Sequence, residues 1–296
     1  MSNQDFLRHL PLVKAPESIW ASLEAKLLEE PPRRAVFWRW ALAAGVALAI
    51  AGSVYWAVTH FYEERWEVAR ASGVSRVGAG DVIETGSGSR ATVKVGKIGS
   101  VEVAPNTFLR VVIARPGEHR LALLRGEIQA KISAPPRLFF VETASGTAVD
   151  LGCEYTLNAD EDGSGLLRVT KGWVSFQWKT LESLVPAGAR CLLRPNAGPG
   201  IPYFDDAPES LKQAIENFGF VKSADDPLDV ILANARVRDT LTLWHLLSRV
   251  DPSGRARVFD GIAALTPIPA GVSRELALKL DPKTLELWKN ELAWTW

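Results

Sequence analysis

Apolar and polar positions alternate in short runs through the middle of the chain. Residues 91–95, 100–103, 108–113, 120–124, 127–132, 138–143, 148–157, 166–170 and 173–178 each read as a strand with one face turned to a core. The breaks between them carry turn chemistry: Gly96, Gly99, Pro105-Asn106, Pro116-Gly117, Pro135-Pro136, Asp162-Gly163 and Lys171-Gly172. Many short strands at such close spacing predict an antiparallel β-sandwich or β-roll. The stretch 187–195 adds a further strand, and 194–208, rich in Pro and Gly, reads as a linker.

Beyond the linker the period becomes helical. Helices are predicted over 208–218, 227–235, 239–250, 255–265, 273–280 and 282–293. Asp226-Pro227 and Asp281-Pro282 each set a capping carboxylate before a proline at the first helical position. Leu241, Trp244 and Leu247, and then Leu285, Trp288 and Leu292, make apolar stripes that predict a small helical bundle. Trp294 and Trp296 end the chain as candidate docking anchors or as buried aromatics.

Upstream of the strands the pattern differs again. From Trp40 to Val58 there is no charge. These roughly 19 residues would make a helix about 29 Å long, matching a hydrocarbon core of about 30 Å. Phe37, Trp38 and Trp40 lie at one end and Tyr55, Trp56, Phe61 and Tyr62 at the other, as aromatic belts do. More than thirty residues precede the run, which speaks for a single signal anchor over a cleaved leader. Lys26, Arg33, Arg34 and Arg39 outnumber Arg65 and Arg70 across it, so the N-terminus is expected in the cytoplasm and the bulk of the chain outside. Ala41, Gly45 and Ala49 are spaced as a small-xxx-small face, which would pair two copies; Ala-rich spans also produce that spacing by chance.

The first 34 residues are too few to bury a core. Within them Pro16 and Glu17 open a helix whose Ile19, Trp20, Leu23 and Leu27 form one apolar stripe, and Pro31-Pro32 closes it. An amphipathic helix of this kind is covered either by a groove on a partner protein or by the membrane surface. The expected organisation is therefore a tail (1–34), a transmembrane helix (35–62), a β domain (63–193), a linker (194–208) and a helical domain (209–296).

Composition narrows the chemistry. Lys plus Arg and Asp plus Glu are 34 each among 296 residues, so there is no basic field for nucleic acid. Four His, two Cys and one Met leave little for a metal or for His-dependent catalysis. His9, His60, His119 and His245 share no motif, and no zincin, nucleophile-elbow or P-loop pattern is present. Asp160-Glu161-Asp162 and Asp205-Asp206 sit in turn-like surroundings and read as solvated turns. Gly86-Ser87-Gly88-Ser89-Arg90-Ala91 fits a dinucleotide loop on paper, but it leads into a strand and not a helix. Its glycines are expected to supply positive φ in a hairpin. No catalytic group, cofactor or metal is assigned, and the chain reads as a non-enzyme.

"GDVIETGSGSRATVKV", then "GEIQAKI" with "FFVETASGTAVDLGCEYTL", then "LLRVTKGWVSF", resembles a FecR-type domain over about residues 70–180. In that family a Gly-Asp-x-Ile/Leu-x-Thr-Gly opening precedes Phe-x-Val-x-Thr-x-x-Gly, and Val-x-x-Gly-x-Val closes the unit. The resemblance implies a periplasmic β domain on a single-span inner-membrane regulator of an extracytoplasmic-function sigma factor. Two departures stand out: the family's larger cytoplasmic domain is absent, leaving the Trp20 helix to take its part, and so is the His-x-x-x-Cys-x-x-Cys zinc arrangement of related anti-sigma domains. The expected partners are a sigma factor at the tail, an unknown periplasmic ligand or protein, the bilayer, and a second copy. The alternative is a membrane-tethered envelope module that touches no sigma factor. An oxidising periplasm permits a Cys153–Cys191 bridge. It would close a loop of about 37 residues and contribute about 4 kcal/mol; two separate buried thiols are the other outcome, and the bridge is the expectation.

Overall fold

The computed structural model describes residues 16–27, 43–56, 64–218 and 227–296. Residues 1–58 and 59–296 form two compact units.

In the first unit, α1 runs Glu17–Leu27, with Glu17 in its first turn beside the positive end of the helix dipole. Residues 43–56 form α2, roughly 14 residues or about 21 Å long, with exposed side chains. Among the described residues no helix is long and apolar enough to cross a membrane. The ends of the expected span, with Trp40 and Ala41, lie outside the described residues.

Among the described residues the second unit holds sixteen strands: β1 Trp66–Arg70, β2 Gly73–Val77, β3 Val82–Glu84, β4 Ala91–Val95, β5 Gly99–Val103, β6 Phe108–Arg115, β7 Glu118–Ile132, β8 Phe139–Thr143, β9 Gly146–Asp150, β10 Glu154–Ala159, β11 Gly165–Lys171, β12 Trp173–Trp178, β13 Leu181–Pro186, β14 Ala189–Arg194, β15 Gly198–Pro199 and β16 Tyr203–Phe204. The described α-helices that follow are α3 Glu209–Asn217, α4 Pro227–Asn234, α5 Thr240–Leu247, α6 Pro252–Leu265, α7 Arg274–Leu278 and α8 Pro282–Leu292.

Alternation dictates the strands. In β4, Ala91, Val93 and Val95 are buried while Thr92 and Lys94 face out. The strands join one sheet along the path β13-β12-β9-β8-β7-β10-β11-β14-β15. The long β7 divides it: residues 118–125 pair with β6 and β8, and 126–132 pair with β5 and β10. The bend falls at Gly126 (φ +92°), where a Cβ would come within 2.8 Å of Thr107 Cβ and nearer still to its Cα and Oγ1. Thr107 Oγ1 accepts the Glu127 N–H at 3.1 Å and so pins the corner. The two halves fold over a shared core that takes Val93, Ile128, Tyr155 and Leu167 from one and Ile83, Leu121, Val141 and Phe176 from the other. Each such side chain, fully withdrawn from water, contributes about 1.5–3 kcal/mol.

The expected mainly β architecture with C-terminal helices is thus present, with two corrections. The sheet is mixed, because β7 and β8 run parallel, with Leu121 opposite Val141. The stretch 194–208 is no linker: β15 and β16 pair with β14, and Ile201, Tyr203 and Phe204 are buried.

The helices form where capping and periodicity place them. Asp281 accepts the Thr284 N–H (2.9 Å) with Pro282 at the first position of α8, and Asp251 caps α6 in the same way through the Gly254 N–H (2.7 Å). Leu211, Ala214 and Ile215 on α3, Leu243 and Leu246 on α5, and Trp288 and Leu292 on α8 share a second core with Ile201 and Tyr203. The helices therefore pack onto the strand segment expected to separate them. Trp296 closes the seam: its indole N–H donates to Thr240 Oγ1 (3.0 Å), and its ring lies 6.0 Å from Trp173 on β12 and 6.3 Å from Trp244 on α5.

Candidate functional site

Two places have the character of a binding site. The first is the outer face of α1. Ile19, Trp20 and Leu23 recur at helical spacing and are 49%, 63% and 46% exposed. The fourth predicted residue, Leu27, ends the helix, and its side chain is outside the described residues. An indole that open to water is an uncovered apolar surface of the size that anchors interfaces. Gly45 and Ala49 of the predicted pairing face lie on α2 and are exposed, and a Cβ built on Gly45 would meet open space beyond its own helix backbone and chain neighbours.

The second place is a cleft of about 270 Å³ where β13–β16 meet α3 and the end of α5. Leu181, Leu192, Ile201, Ile215 and Phe218 make it largely apolar. Arg249 enters it, donating to the Pro199 carbonyl (2.7 Å) and to Ser183 Oγ (3.0 Å), and Ser183 in turn donates to the Gly200 carbonyl (2.7 Å). Burial holds the Arg249 guanidinium below its ordinary value. Glu216 also lines the cleft, and its carboxylate accepts the Tyr203 hydroxyl, whose pKa burial and that carboxylate push up. The cleft has no signature in the sequence, because part of its wall comes from the stretch read as a linker and the rest from segments far apart in the chain.

The cysteines do not form a bridge; both are buried free thiols. Cys191 stands opposite Leu167 on β11, whereas Cys153 abuts Gly172 beyond the end of that strand. Five residues of strand separate those levels, about 16 Å at ~3.3 Å each, and a disulfide needs Cα atoms within about 7 Å. Cys153 instead donates to Asp150 Oδ2 (2.6 Å). Burial first, and then that carboxylate, push its thiol well up, and burial pushes Cys191 up to about 12.

The remaining candidates are structural. Among the described residues no group of three or more His, Cys, Asp or Glu could hold a metal. Asp205 is not merely solvated: it pairs with Arg168 (3.1 Å) and with Arg190, while Asp206 pairs with Arg236 (3.2 Å) and Arg238 (3.4 Å). Asp162 accepts the Ser164 N–H at 2.8 Å in a turn, as expected. His119 packs against Trp66, ring centroids 5.6 Å apart, and burial lowers its pKa against the pull of Glu64. His9 and His60 lie outside the described residues.

The Gly86–Ala91 loop is a turn leading into β4, with Ser89 N–H bonded to the Gly86 carbonyl at 3.0 Å. It joins no hairpin, since β3 pairs with β6 and β4 with β1 and β5, and neither Gly86 nor Gly88 has positive φ.

The motif residues quoted above hold turns together. Asp81 Oδ2 accepts the Gly78 N–H (2.8 Å), Thr85 Oγ1 donates to the Ala104 carbonyl (2.7 Å) and accepts the Thr107 N–H (3.0 Å), and Thr143 Oγ1 donates to the Gly146 carbonyl (3.1 Å). Phe139, Val141, Val169 and Val174 fill the core between those turns.

A search of the curated proteins found no match. Among solved structures, two crystal structures of a candidate anti-sigma factor from Parabacteroides distasonis are similar, each at TM-score 0.38. One is 16% identical, over 47% of this chain and 65% of that one; the other is 17% identical, over 52% and 73%. From β3 to β12, residues 81–175 match the model of the FecR protein family.

Proposed function

We propose that the chain is a non-enzymatic, membrane-anchored regulator of an extracytoplasmic-function sigma factor. The observation that carries this reading is the FecR protein match over residues 81–175, whose motif residues all sit at the turns and core positions that build the sandwich. The uncharged run from Trp40 to Val58 supports a single span of the bacterial inner membrane, and the excess of Lys and Arg before it supports a cytoplasmic N-terminus with periplasmic β and helical parts. On this topology α1 is the segment placed to meet the transcription machinery. Its uncovered Trp20 is the contact, and Ile19 and Leu23 flank it.

Signal passes when the periplasmic unit changes the availability of α1. Trp20→Ala combined with Leu23→Ala removes the contact surface while leaving the anchor and the outer unit untouched. In cells carrying a reporter driven by the cognate sigma factor, this double variant shifts transcription to the level of a strain lacking the protein. Unchanged reporter output with normal protein levels would contradict the docking role of α1 and leave the chain as an envelope module without sigma-factor contact.

A further inference from the structure

The Arg249 cleft has a composition that its packing role does not exhaust. Its guanidinium carries five N–H donors, and the bonds to Pro199 and Ser183 use two of them, both to neutral oxygens. Among the described residues no carboxylate pairs with it. A positive charge drawn partly out of water ordinarily acquires an anionic partner, because burial without one is costly. The carboxylate that does line the cleft, Glu216, is engaged by the Tyr203 hydroxyl.

Most of the remaining lining is apolar, although Arg194 and Ser248 also contribute to it. Leu181, Leu192, Ile201 and Ile215 offer no polar side-chain atom, and Phe218 adds an aromatic wall. A cavity of about 150 Å³ with aliphatic walls holds benzene, so 270 Å³ accommodates a ring or short chain together with a polar head. Arg is the side chain whose planar fork matches a carboxylate with two parallel bonds. Its Ser183 and Pro199 contacts fix the fork in place, which lowers the ordering cost of binding.

We infer that this cleft binds a small amphipathic carboxylate, with the anionic head on Arg249 and an apolar body against Leu181, Leu192 and Ile215. The site lies where the sheet meets α3 and α5, so occupancy ties β13–β16 to the helices. It would give the outer unit a ligand to sense, but it stands on the cleft alone and not on the sigma-factor reading.

The test uses the purified full chain with phenylacetate as probe and phenylacetamide as its neutral isostere, read by calorimetric titration and thermal shift. Phenylacetate is expected to bind and raise the melting temperature, with the amide weaker by roughly tenfold or more, the difference a charge-assisted pair makes. Arg249→Gln, which retains an amide donor for Pro199, abolishes the preference for the acid over the amide. Leu181→Trp, which fills the cleft from its rim, abolishes both. No binding of phenylacetate at millimolar concentration, or equal binding of acid and amide to the wild-type chain, would overturn the inference even if Arg249→Gln failed to fold. Neither result touches the role of α1, which is read in cells by reporter output.

Discussion

The Nε2 atom of His245, on α5, accepts the backbone N–H of Leu184 on β13 at 3.0 Å. β13 ends the sheet path, so this bond occupies a donor on an edge that would otherwise be open to another strand. Nδ1 lies 2.8 Å from the Leu241 carbonyl, and the two bonds together assign the tautomer with the proton on Nδ1. An imidazolium could not accept from Leu184, and burial lowers the His245 pKa to about 3.

Acid should therefore destabilise the second unit through this residue. The folded state holds His245 neutral while the unfolded chain protonates near pH 6.5, so the unfolded state binds more protons below that pH. The contribution is fully present above about pH 6.5 and is lost as pH falls toward about 3. The slope is about 1.4 kcal/mol per pH unit, or roughly 2 kcal/mol by pH 5. Urea unfolding of the wild type and of His245→Ala between pH 5 and 8 checks this. The variant is expected to lose about 2–4 kcal/mol at pH 7, from a cavity and an orphaned N–H, and its pH dependence is shallower.

Gly126 makes the second prediction. Positive φ and the crowding of Thr107 leave no room for a side chain at the corner of β7. Gly126→Ala is expected to cost about 2–4 kcal/mol, read as a lower urea midpoint. Alanine at the exposed Gly88, which has neither constraint, should leave the midpoint within about 0.5 kcal/mol.

Both thiols should behave as independent, shielded groups. Alkylation of the native protein at pH 8 is expected to be slow at Cys153 and Cys191, since their raised pKa values leave little thiolate. Alkylation in denaturant labels both without prior reduction, and mass spectrometry counts the adducts. Reductant should leave the melting temperature unchanged.

Trp296 tests whether the helices and the sheet form one cooperative body. Its indole bonds Thr240 and packs between Trp173 and Trp244. Trp296→Ala is expected to cost about 2–4 kcal/mol, whereas Trp294→Ala, at a position 89% exposed, costs little. Equal small effects would mean the C-terminus is not part of the packed seam.

Much of this architecture was legible because local rules and tertiary packing agree. Residues 91–95 and 173–178 become β4 and β12 with the predicted ends, and Asp281-Pro282 starts α8. The failures have physical causes. Gly126 looks like a break between two strands, yet it bends one continuous strand across two halves of the sheet. Leu151-Gly152-Cys153 looks like strand, yet it is the turn that divides β9 from β10. β15 and β16 are hidden by Pro199, Pro202 and Gly200, which are tolerated because these short segments pair on the sheet's edge. The α1 stripe could be read from spacing alone, whereas the Arg249 cleft brings together residues far apart in the chain and has no local signature.

On the proposed topology Trp20 meets a sigma factor in the cytoplasm. The most direct measurement is a photoreactive amino acid placed at position 20 of the full chain, irradiated in living cells, with the adducts identified by mass spectrometry. A crosslink to an extracytoplasmic-function sigma factor is expected, and it disappears when Leu23→Ala is added. Adducts to lipid alone, with the protein present at normal levels, would contradict it.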